Sequence, residues 1–145
     1  MGIAYRLDRV QGLMTIVWDG KVTADEWRTH LEAVFEDPDW PAGPANLTDL
    51  RSADVSAITA SDQADIVALY GPHLDKVRGM KSAAVAGDNF EASTEFGNLN
   101  EPPGLSLIVF NDLVTACTWL GVDKSAAQAT VTELRQELRT EPAAS

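Results

Sequence analysis

Apolar and polar positions alternate from the start of the chain. Ile3, Tyr5 and Leu7 interleave with Ala4, Arg6 and Asp8, the pattern of a strand with one wet face. Gln11-Gly12 turns the chain, Leu13 to Trp18 forms a second and more apolar strand, and Asp19-Gly20 closes it. So short a connection predicts an antiparallel hairpin. The period then changes. Thr23-Ala24-Asp25-Glu26 has the form of a capping box. Trp27, Leu31, Val34 and Phe35 follow at i, i+4, i+7 and i+8, one face of a helix that Pro38 and Pro41 end.

Ala45 to Leu50 reads as a third strand, and Arg51 to Ala57 as a polar connection. Thr59 or Ser61 is placed to cap the next helix, in which Ile66, Leu69, Tyr70, Leu74 and Val77 keep helical spacing. Pro72, after Gly71, lacks an N–H and crowds the carbonyl four residues back, which predicts a kink or two short helices. Ser82 to Ala86 is a strand of small residues. Asp88 caps a helix with Glu91 in the box position, carrying Phe90 and Phe96 inward. Gly104 to Asp123 holds the clearest strand-to-helix unit. Leu105, Leu107, Ile108, Val109 and Phe110 lead to a capping Asn111, and the helix ends at Trp119-Leu120-Gly121. A last helix over Ser125 to Arg139 places Ala127, Val131, Leu134 and Leu138 on one stripe, with Gln128, Thr132, Arg135 and Arg139 on the opposite face.

Strands alternating with helices predict a single α/β domain, a mixed and mainly parallel sheet led by an antiparallel hairpin. The domain proper is expected over 1–122, with 123–145 an appended helix and tail. At 145 residues and 45% hydrophobic composition the chain has no need of disulfides or a structural metal. The one cysteine, Cys117, lies on the apolar side of its helix, as a buried and inert thiol does.

Charge narrows the range of functions. Twenty-two acidic residues against 11 basic ones give a formal net charge of −11, which repels phosphate backbones and anionic lipid heads. Neither nucleic acid nor a membrane surface is therefore an expected partner. The charged N-terminus does not read as a secretory signal, and no stretch reaches the roughly 18 apolar residues of a membrane span. A cytoplasmic location is expected.

The order of elements, with Phe110, Asn111-Asp112, Ala116, Trp119 and Leu120 in the closing strand and helix, resembles the SpoIIAA-like family, relatives of the STAS domains of anti-sigma-factor antagonists. The early part is similar too: a strand ending Asp19-Gly20-Lys21-Val22-Thr23, a helix, and a strand ending Thr48-Asp49-Leu50. The resemblance spans Tyr5 to Val122. It implies a right-handed β/α superhelix with a mixed sheet, often assembled as oligomers, but no settled activity. Joined to the lack of any catalytic constellation, it leads to the expectation of a non-enzymatic binding or regulatory domain acting through contacts with a protein partner. Regulated STAS domains carry a phosphorylatable Ser or Thr in an Asp-Ser-Ser/Thr-Gly-like turn. Here the corresponding stretch, DLRSADVSAITASDQADI, holds Ser52, Ser56 and Ser61 but not that tetrapeptide. Ser56 and Ser61, near the start of a helix, are the candidate phosphosites.

No catalytic residue is assigned. His30 and His73 lack an H-x-x-x-H, H-x-x-E or cysteine companion, and no G-x-S-x-G, G-x-G-x-x-G or P-loop occurs. Glu36 to Asp39 lacks the ligand periodicity of a calcium loop. No metal or cofactor is expected. Trp40, between prolines in a loop, is the aromatic most suited to a lid or contact surface, and with Trp27 and Tyr70 it forms the candidate ligand or partner contact. The alternative function is carriage of a small apolar, lipid-like ligand, because STAS domains are related in fold to the CRAL-TRIO lipid carriers. The stripe of Val131, Leu134 and Leu138 must pack somewhere, since a helix of about 15 residues is marginal alone. It either docks on the chain's own sheet or first helix or, the option preferred, forms a homodimer seam.

Overall fold

Within Leu13–Lys21, Met14, Ile16 and Trp18 join one buried cluster while Leu13 and Val17 join others, so this strand divides two cores. A strand apolar on both faces belongs inside a sheet with helices above and below it. The computed structural model describes residues 2–39, 45–73, 75, 79–87 and 106–140. Five strands form one sheet in the order β1-β2-β3-β4-β5: β1 (Ile3–Asp8), β2 (Leu13–Lys21), β3 (Ala45–Asp54), β4 (Lys81–Val85) and β5 (Ser106–Phe110). The first pair is antiparallel, with Ile3 opposite Trp18 and Asp8 opposite Leu13, and the other pairs are parallel. The fold is the mixed α/β domain with a leading hairpin that the periodicity predicts.

Helix α1 (Ala24–Glu36) starts at the predicted capping box: the Glu26 amide donates to Thr23 Oγ1, and the Thr23 amide donates to Glu26 Oε1. Helix α2 (Ala60–Val67) starts at a second such box, with Thr59 as cap and Asp62 as its partner. It passes into a 3₁₀ turn over Ala68–His73 that contains Pro72, so the break falls at the predicted proline. Trp27, Leu31, Val34 and Phe35 of α1 and Ile66 of α2 close one core over Met14, Ile16, Trp18 and Leu50.

On the other face lie α3 (Leu113–Leu120) and α4 (Lys124–Thr140). Asp112, one residue later than the expected Asn111, caps α3 by accepting from the Thr115 amide at 2.8 Å. Gly121 ends α3 at φ +73°, the left-handed conformation that favours glycine. Cys117 is buried against Leu47, Ala83 and Val85, and burial pushes its thiol pKa up.

Helix α4 lies across β1 and β2. Its Val131 and Leu134 are buried with Val17, and Leu138 packs beside them. Of the two expected packings, the stripe takes the one on the chain's own sheet. The physical reason is Val17: β2 presents an apolar residue on this face that needs a cover, and the stripe supplies it. The expected helix carrying Phe90 and Phe96, together with Leu74, Val77 and Trp40, lies outside the described residues.

Candidate functional site

β3 runs to Asp54, four residues beyond the expected end at Leu50, and one irregularity lies inside it. Val17 pairs with Asp49, but Asp19 pairs with Ser52, so a two-residue step on β2 faces a three-residue step on β3. One extra residue in a strand is a bulge, and it re-aims the side chains on either side of it. Here it brings both Asp49 and Ser52 within reach of α4, at the carboxyl ends of parallel strands where α/β proteins commonly form sites.

Asp49 is 0% exposed. Its Oδ1 accepts from the Arg51 amide at 2.9 Å and from Arg51 Nε at 3.0 Å, and its Oδ2 accepts from Arg51 Nη2 at 2.8 Å. The second acceptor bond of Oδ2 comes from Arg135 Nη2 of α4 at 2.7 Å. Arg135 Nε donates to Ser52 Oγ at 3.1 Å. One helical turn further, Arg139 grips Asp19 with two bonds of 3.0 Å. The result is a continuous polar seam, Arg51–Asp49–Arg135–Ser52 with Arg139–Asp19 alongside, joining β2, β3 and α4.

Burial is the largest single influence on Asp49 and acts to raise its pKa. The hydrogen bonds from Arg51 and Arg135, with the Arg51 charge, together outweigh it, and the carboxyl ends below the usual carboxylate range. The Arg139 hydrogen bond holds the Asp19 carboxyl down as well. Arg51 also lies over Gly87 (φ +54°), where an added Cβ would sit 3.2 Å from Arg51 Cγ. The close approach of the arginine stem thus depends on the missing side chain. Chemically the seam is closed. Asp49 has both oxygens doubly occupied, and neither histidine joins it. It is built to lock α4 to the sheet rather than to transfer protons.

The expected contact residues are placed differently. Trp27 is buried edge-on against Trp18, with ring centroids 5.6 Å apart, so it belongs to the core rather than to a contact surface. It is drawn inward because β2 places Trp18 opposite the same face of α1. Tyr70 is half-buried, edge-on to Phe35 at 5.3 Å, and burial pushes its pKa up to about 12. Ser56 is exposed and its hydroxyl donates to Asp54 Oδ1 at 2.6 Å. Ser61 is exposed in the first turn of α2. His30 is buried beside Tyr5, at 5.4 Å between rings, and burial depresses its pKa to about 4. His73 stacks on Phe35 at 4.3 Å.

The seam residues were missed in the sequence because Arg135 and Arg139 read as the wet face of α4, and Asp49 as a strand end. The available signal was an aspartate between Thr48 and Leu50 inside an apolar strand, with two arginines four apart on a later helix. Among the described residues no group of three or more His, Cys, Asp or Glu is arranged to hold a metal ion. Nor is any helix there long and apolar enough to cross a membrane.

No family model matches the chain. No curated protein matches it either. Among solved structures it is similar to an uncharacterized protein of the DUF3478 family with a SpoIIAA-like fold from Shewanella loihica PV-4. The two share 20% sequence identity at a TM-score of 0.54, over 82% of this chain and 94% of that one. The chain has a SpoIIAA-like fold.

Proposed function

We propose, from the premise of a SpoIIAA-like fold, that this chain is a non-enzymatic cytoplasmic binding domain acting through protein contacts, and that the contact surface is the β5 edge with α3. The observation that carries this reading is a pair of large apolar residues left in water. Ile108 on β5 is 41% exposed and Val114 on α3 is 52% exposed. Between them in the chain, Phe110 is half-buried against Trp119, with ring centroids 5.8 Å apart and Lys81 Nζ 5.1 Å from the Trp119 ring centroid. Isolated apolar side chains on a surface are ordinary, but two on consecutive elements beside an aromatic pair favour a partner. Among the described residues β5 ends the strand order, and an edge strand is a template for a partner's strand.

The polar seam supports the non-enzymatic part of this reading, since its charges are paired with one another. A photo-crosslinking residue at Val114 tests the proposal in cells, with the same residue at Val10 as control. Val10 is also exposed, but it lies beside β1 at the opposite edge of the sheet. A discrete protein adduct at position 114, absent at position 10 and lost on Ile108→Lys, is the expected result. Adducts that do not differ between the two positions would overturn it.

A further inference from the structure

Between β1, β2 and the first turns of α4 is a half-open pocket of about 230 Å³. Thr15 lines it from the sheet and is only 2% exposed. Its hydroxyl has no hydrogen-bond partner among the described residues. Buried hydroxyls are normally satisfied, because leaving one unpaired costs on the order of 1–3 kcal/mol.

The other polar groups lining the pocket are already engaged. Arg6 is held by Glu133 and Glu137, and Arg9 by Asp39. Asp8 accepts from the Val10 and Gln11 amides and from Gln11 Nε2, while Gln11 Oε1 accepts from the Asp123 amide. Thr130 donates to the Ala126 carbonyl. The charges on the pocket walls are thus compensated by neighbours, and Thr15 is the buried side chain there whose hydroxyl is left without a partner among the described residues. Leu7, Leu13, Ala126 and Ala127 supply the apolar remainder.

We infer that this pocket binds a small uncharged molecule with a flat apolar body and one polar atom, which hydrogen-bonds to the Thr15 hydroxyl. An uncharged ligand suits the site, because Arg6 is already balanced by Glu133 and Glu137 and Arg9 by Asp39. Size sets the scale: an apolar cavity of about 150 Å³ holds benzene. At about 230 Å³ the pocket takes a fused bicyclic ring. The site lies at the β1 side of the sheet, away from β5, so it stands or falls separately from the proposed protein-contact surface.

The test uses indole, an uncharged bicycle with one N–H, titrated into the full chain and followed by amide and methyl NMR shifts. Saturable shifts are expected at Leu13, Thr15, Ala126 and Ala127. Thr15→Val, which keeps the shape and removes the hydroxyl, is expected to weaken binding roughly fivefold, the worth of one neutral hydrogen bond. Ala126→Phe fills the space and is expected to abolish it. Thr130→Leu, from another half-exposed wall position, provides the same block if the first variant does not fold. Absence of saturable shifts at millimolar indole would overturn the proposal. So would shifts that persist in a folded blocking variant, or equal affinity in Thr15→Val.

Discussion

Arg135 Nη2 reaches Asp49 Oδ2 at 2.7 Å across 86 residues of chain, and Asp49 has no contact with water. The last helix is therefore attached to the middle of the sheet by a charge that solvent cannot screen. A buried carboxylate with four donors is stable only while those donors stay.

Asp49→Ala leaves Arg51 and Arg135 without their shared acceptor and is expected to cost about 3–5 kcal/mol of folding free energy. Arg135→Ala should cost less, because Arg51 still holds three of the four bonds. Guanidinium unfolding of both single variants and the double variant measures this. A coupling energy near zero would mean that the pair is not formed in solution.

His30 makes folding depend on pH in a defined window. Its pKa falls from an ordinary 6.5 to about 4 on folding, so between these values the unfolded chain binds the extra proton. Stability is then expected to decline as pH falls through 6.5 and to stop responding to His30 below about 4. The full loss is about 3 kcal/mol, from roughly 1.4 kcal/mol per pKa unit. Asp49 acts elsewhere: its carboxyl is depressed, so its contribution is present above the ordinary carboxylate range and is lost only at more acid pH. Unfolding midpoints of wild type and His30→Phe between pH 7 and 4 should converge in slope only if another group dominates.

Gly87→Ala is expected to destabilise by about 1–2 kcal/mol, the cost of a left-handed conformation for a residue with a Cβ. The new methyl also presses on the stem of Arg51. Pairing the change with Arg51→Ala separates the two effects, because removing the stem relieves the clash and leaves the backbone strain. Thermal unfolding of the three variants reads both.

Leu134→Ala should cost about 2–5 kcal/mol, the usual penalty for a fully buried leucine. A chain ending at Asp123 loses the cover over Val17 altogether and is expected to bind ANS or aggregate. A soluble, cooperatively folding truncation would show that α4 is dispensable to the core.

Much of the fold is legible in the sequence, for stated reasons. Thr23 announces its helix, and Thr59 or Ser61 the next, because capping chemistry is local, and Ile3 to Leu7 announces a strand because alternation is local. The bulge is not legible. Arg51 to Asp54 looks like a connection because polar residues on a strand's wet side resemble a loop, and an inserted residue breaks the period of two that would reveal them. Arg135 and Arg139 looked like solvent-facing charges because periodicity cannot see an acid on a strand over a hundred residues away in the case of Asp19. The packing of α4 is left open in the sequence for a related reason: a narrow apolar stripe is equally consistent with a partner chain and with Val17. Trp40, the aromatic most suggestive of a contact, falls outside the described residues.

The placement of α4 against the opening hairpin has a consequence for synthesis. On a ribosome the β1–β2 hairpin emerges before the other described elements, yet the helix that covers one of its faces is the last of them to leave the exit tunnel. Val17 and the Asp19 carboxylate stay uncovered while some 120 further residues are made. The nascent chain thus carries a bare apolar strand face while the rest of this domain is made, a period in which a holding chaperone has something to hold. Closing the domain becomes a single late event, completed when Arg139 finds Asp19.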